Sequence, residues 1–211
     1  MPGKAKAADV LPMRRVVAMI SYLRGEGKLR DAALVAVAAG FGLRIGDALS
    51  LTWEDVLDEM GEVRSQLKLT EQKTGKTRIV RVFPFVRRAL EEWRDATGYP
   101  SGYIFPGRNG GPLSRKAAWL MLKKTADAMG IRGQISPHSL RKAFCDFVYE
   151  HTRDPVQTAR ITGHTNPAQL LRYIGRMAEG EKETWDRMEK ALARAGAVSY
   201  THLTLPTIYS V

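Results

Sequence analysis

Cysteine is almost absent: Cys145 is the single copy in 211 residues. A lone thiol closes no internal disulfide, and Cys-rich metal sites are excluded, so the chain suits a reducing compartment. Its apolar surroundings, AFCDFV, make it a small buried hydrophobe. No apolar run approaches the length of a membrane span, and MPGKAKAADV at the start lacks a signal-peptide core. A cytoplasmic protein with no membrane partner is expected. Also missing are a P-loop, a Gly-rich dinucleotide turn and a metal-ligand cluster, so no cofactor and no metal are expected. Negative charge is scarce: 22 Asp and Glu stand against 33 Lys and Arg, a net charge of +11. Such a surplus attracts a polyanion, nucleic acid first and an anionic membrane surface second, although many basic proteins are merely basic.

What is present divides by period. Residues 1–11 read as a loose basic leader and residues 12–196 as one domain. Residues 12–25 and 28–39 have helical content, and KLRDAALVAVAA should be a core helix ended by Gly40 and Gly42. FGLRIGDALSLTWEDV adds a further helical turn or two, with Arg44 at its start. Residues 62–83 switch to β-prone runs joined around KTGK, a hairpin with Lys73 near its tip. Helix returns at 85–96, a Gly/Pro-rich loop follows, and Ser114 caps a helix to about Met129. Ser136-Pro137, Asp154-Pro155 and Asn166-Pro167 each set an N-cap before a first-turn proline. The fold class is therefore mainly α with a small antiparallel β-sheet (α+β). Residues 197–211, AVSYTHLTLPTIYSV, contain no charged side chain; they read best as a cloning or read-through extension, so Tyr200, His202 and Tyr209 are set aside.

Polar residues stand in unusual places. Arg44 follows an apolar helix and a glycine pair. Lys73 sits at a hairpin tip. His138 and Arg141, three apart in PHSLR, share a helix face. His164 lies in the turn after Gly163, and Tyr173 lies on the next helix. Singly each has a bland explanation: Arg44 paired with Asp47, Lys73 solvated, His138 idle at a helix start, His164 capping a carbonyl, Tyr173 in the core. Together they suit phosphoryl chemistry. Forked arginine donors match phosphodiester oxygens, cations and histidine stabilise growing charge, a tyrosine hydroxyl can attack phosphorus, and a lysine can protonate the departing alkoxide.

In GLRIGDALSLTWEDV, EQKTGKTRIVRVFP, PHSLRKAF and TGHTNPAQLLRY, over roughly residues 12–180, the chain resembles the tyrosine recombinases, or phage-type integrases. The resemblance implies a catalytic domain over 12–196, with Arg44 and Arg141 as catalytic arginines, Asp47 as acidic support, Lys73 as catalytic lysine, and His138, His164 and nucleophile Tyr173 completing the set. It implies site-specific cutting and rejoining of double-stranded DNA through a 3′-phosphotyrosyl ester, without ATP or metal. Four protomers would act on two DNA sites, with accessory DNA-bending proteins as further partners. Thr162 and Lys142 depart from the usual leucine and histidine. The family's additional N-terminal helical domain has no room before Arg44, so the chain resembles the short fimbrial-switch invertases or is a piece of a longer protein.

Arg115, Lys116, Lys123 and Lys124 recur along one helix and could track a phosphate backbone, or form a solvated face. Residues 179–196 read as an amphipathic helix with Trp185, Met188, Leu192 and Ala195 on one side, suited to a neighbouring protomer or to its own domain. Two other functions stay open: a type IB topoisomerase, and a DNA-binding protein that does not cut.

Overall fold

The structure, a computed structural model, describes residues 8–73, 75–98, 101–176 and 184–194. Helices dominate it, with one two-stranded antiparallel sheet, as the sequence periods require. Helix α1 (Met13–Gly25) leads into α2 (Leu29–Gly40), α3 (Ile45–Leu49) and α4 (Trp53–Val56). Strands β1 (Gln66–Thr70) and β2 (Thr77–Arg81) form the hairpin, followed by α5 (Pro84–Thr97) and α6 (Arg115–Ala128). The chain then runs through α7 (Pro137–Thr152), α8 (Pro155–Thr162) and α9 (Pro167–Ile174). Residues 184–194 are also helical.

Helix α2 is the centre. Every residue from Ala32 to Gly40 is buried, and a helix apolar all round must be enclosed. Helices α1, α5 and α7 enclose it. Small residues allow the close approach: a Cβ on Gly40 would run into Val86 of α5. The other helices start where their caps dictate. Ser114 accepts from the Ala117 amide, Asp154 from Val156 and Gln157, and Asn166 from Ala168 and Gln169. Each cap satisfies orphan amides at a helix start and is worth on the order of 1 kcal/mol.

In the hairpin, Leu67 faces Val80 and Leu69 faces Arg78. Leu67 and Leu69 point inward, with exposed residues between them, the period of a half-buried strand. The described end of the leader is anchored rather than loose. Leu11 joins the core, Asp9 accepts from the Gln134 amide at 2.8 Å, and Lys142 Nζ donates to the Ala8 carbonyl at 2.7 Å. Residues 1–7 and the uncharged tail, 197–211, lie outside the described residues. Among the described residues no helix is long and apolar enough to cross a membrane.

Candidate active site

A buried arginine and a largely shielded one build the site by joining two helix ends. A helix terminus leaves carbonyls without intrahelical partners. Arg141, on α7 and 3% exposed, donates to the Gly42 carbonyl after α2 (2.5 Å) and the Thr162 carbonyl at the end of α8 (3.3 Å). Arg78, on β2, donates to the Phe41 carbonyl (2.5 Å) and the Ile161 carbonyl (3.1 Å). The same two junctions are thus clamped twice. Arg44 begins α3 two residues past Gly42, and His164 follows Thr162 by two, so the clamps bring Arg44 and His164 to one place.

The carboxylate between these cations is Glu71, 1% exposed. Its Oε2 accepts from Arg44 Nη1 at 2.5 Å, while Oε1 lies 3.5 Å from Arg141 Nη1 and 3.9 Å from Arg78 Nε. Burial, then the neighbouring Arg141, lowers the pKa of Arg78, and Glu71 opposes that shift. The Arg44 side chain keeps 31% exposure, so it has an outer edge for a ligand.

Gly163, at φ 77°, ends α8 and turns the chain. His164 then sits with Nδ1 2.8 Å from the Thr162 hydroxyl. That hydroxyl gives its proton to the Thr158 carbonyl at 2.8 Å, so it accepts from the ring, leaving Nε2 as the edge for a substrate. Burial, followed by the Arg141 and Arg44 charges, pushes His164 down to about 4. The ring of Tyr173 stands 5.5 Å from that of His164, centre to centre. Its hydroxyl donates to the His138 carbonyl at 3.4 Å, and Lys142 Nζ lies 5.2 Å from its ring centre. Burial pushes the phenol up to about 12, so it keeps its proton at neutral pH. Burial first, then Arg141 and Arg44, lowers His138 too. Tyr173 is half-buried, at the edge of a small cluster with Cys145, Ala159, Leu170 and Ile174.

The structure therefore gathers Arg44, Arg141, His138, His164 and Tyr173. It leaves Lys73 exposed in the hairpin loop, without a side-chain partner among the described residues. The pairing of Arg44 with Asp47 is not found. Asp47 Oδ1 instead accepts from the Gln72 amide at 3.1 Å and anchors the hairpin loop, because Arg44 caps α3 and points away to Glu71. The basic run on α6 divides. Arg115 lies against Gly46 of α3, Lys123 stands over Trp119, and Lys124 lines a separate groove with Lys28, Arg30 and Arg108. Lys116 is exposed. Sequence reading missed Glu71 and Arg78. Both continue the inward phase of their strands, after Leu67 and Leu69 and before Val80, and a charge at an inward position was the available signal.

Helices and a β-hairpin bring two arginines, two histidines and a tyrosine together, a set whose donors suit a phosphodiester. The chain belongs to the phage integrase family, whose pattern matches residues 10–179. It is 36% identical over 162 residues to tyrosine recombinase XerD of Corynebacterium glutamicum, covering 74% of this chain and 52% of that one. The chain thus spans about half the length of the curated relatives it matches. The fold is similar to that of XerA recombinase, with a TM-score of 0.68 at 22% identity, covering 87% of this chain and 66% of the other. It is also similar to XerH recombinase bound to its difH substrate before cleavage, with a TM-score of 0.63 at 18% identity, covering 80% and 51%.

Proposed function

We propose that this domain is the catalytic part of a site-specific DNA recombinase that cuts and rejoins strands through Tyr173. The observation that carries the reading is the convergence of Arg44, Arg141, His138, His164 and Tyr173. The Tyr173 oxygen attacks the scissile phosphorus, the bond to the 5′ oxygen breaks, and a 3′-phosphotyrosyl ester forms. The phenol proton leaves through His138, and Lys73, brought in by its loop, gives a proton to the 5′ oxygen. Arg44 and Arg141 stabilise the non-bridging oxygens. An arriving phosphodiester offsets the arginine charges that depress His164; protonated at Nε2, that ring donates to the same oxygens. The 5′ hydroxyl of a partner strand reverses the step, so the bond energy is conserved.

Four protomers on two DNA sites would exchange strands in pairs. The exposed Trp185, Met188 and Leu192 support self-association through residues 184–194. Arg115, Lys116, Lys123 and Lys124 are proposed to contact the phosphate backbone, with Lys124 on a second path beside Arg108. Accessory DNA-bending proteins and a cytoplasmic setting belong to the same reading.

The test is a covalent trap. A randomised library of nicked duplexes is incubated with the protein and quenched in SDS. Protein–DNA adducts should form with the wild type and vanish with Tyr173→Phe. Adducts that persist in that variant would contradict the assignment; so would wild type that binds the library in a salt-dependent manner yet forms none.

A further inference from the structure

Glu71 is an acidic residue in a place built to receive an anion. It is buried almost completely, yet it belongs to the hairpin rather than the helical core. Its side chain reaches three guanidiniums from three elements: Arg44 before α3, Arg78 on β2 and Arg141 on α7. Its backbone closes the loop that carries Lys73: the Glu71 amide donates to the Lys76 carbonyl at 2.9 Å, and the Gly75 amide to the Glu71 carbonyl at 2.8 Å. The turn holding His164 also presses on it, since a Cβ on Gly163 would lie 3.0 Å from Oε1. One residue therefore ties together all three arginines, the Lys73 loop and the His164 turn.

Two effects follow from elementary electrostatics. Three guanidiniums packed together, two of them largely shielded from water, repel one another, and a buried carboxylate among them removes much of that cost. The same carboxylate weakens the field an incoming phosphate feels, because it is a like charge close by. By holding Nη1 of Arg44 it also fixes which edge of the guanidinium faces outward. We propose, on the reading given under the proposed function, that Glu71 is the positioning residue of this site: it aims Arg44, ties that arginine to the Lys73 loop, and trades anion affinity for a correctly oriented cation pair. Glu71 touches no reacting atom; it acts through Arg44 and the loop.

The trade separates this role from a merely structural one, because binding and chemistry should move in opposite directions. Inorganic phosphate is titrated into the wild type and Glu71→Gln, following the His164 ring and the Arg44 guanidinium by NMR. The substitution keeps size and removes charge, so phosphate should bind about tenfold more tightly. Ester formation in the SDS trap at saturating DNA should slow at least tenfold, because Arg44 loses its aim. Glu71→Asp withdraws the carboxylate from Arg44 and should move both readings the same way, with phosphate about threefold tighter; it decides the matter if the glutamine variant does not fold. Unchanged or weaker phosphate binding in both variants overturns the proposal, as does ester formation at the wild-type rate. Loss of affinity and rate together would assign Glu71 a structural role only, and so overturn it too. The phosphate titration needs no ester. A wild type that forms no Tyr173 adduct would therefore fail the recombinase reading, while the phosphate affinities would still decide the effect of Glu71 on the arginines.

Discussion

At the scale of the residue, the site is a set of shifted protonation equilibria. His164 is pushed down to about 4 chiefly by burial, whereas an unfolded chain holds its histidines at about 6.5. Below about pH 6.5 the unfolded state takes up a proton that the folded state refuses, so stability falls as pH drops and levels off near 4. His138 is shifted in the same direction. Allowing for the partial exposure of the ring, His164 should account for on the order of 2 kcal/mol across that window. Urea unfolding at pH 7.5 and pH 4.5 measures it: His164→Gln should lose less stability over this range than the wild type. Equal losses would mean that the ring is not held neutral by its surroundings. Tyr173, pushed up to about 12, states the complementary requirement: its proton needs an acceptor in the site.

At the scale of the element, the site depends on how helices end. Gly42 turns the chain out of α2 at φ 59°, and a Cβ there would enter the Phe144 ring. Gly42→Ala should therefore cost on the order of 3 kcal/mol, from left-handed backbone strain plus overpacking. It should also reduce adduct formation, since the Gly42 carbonyl holds Arg141 and Arg44 follows two residues on. A shift in denaturation midpoint well below that cost would show that the junction repacks. These junctions explain what was legible in the sequence. Caps and first-turn prolines mark Ser136, Asp154 and Asn166 directly, because their signals are local. The hairpin announced itself by its change of period. Glu71 and Arg78 were hidden because their meaning is tertiary: a Thr-Glu-Gln run reads as ordinary polar strand until α7 and α8 close over it. The partner of Asp47 was hidden for a similar reason. Spacing along a helix offered it to Arg44, but the hairpin loop came closer.

At the scale of the whole molecule, the chain carries a net charge of +11, and residues 184–194 leave Trp185, Met188 and Leu192 exposed. If Trp185 and Leu192 serve association, Leu192→Asp should leave the binding of one short duplex within about twofold, since one charge added at an exposed position is largely screened by salt. It should deplete assemblies containing two duplexes, as read by analytical ultracentrifugation of protein–DNA mixtures. Unaltered assembly would place the interface elsewhere. The central claim is chemical, and one measurement reaches it most directly: protease digestion of the trapped adduct, followed by mass spectrometry of the peptide that carries Tyr173. The account predicts a nucleotide remnant esterified to the Tyr173 oxygen, attached through a 3′ phosphate. A remnant on any other residue, or one attached through a 5′ phosphate, would contradict it.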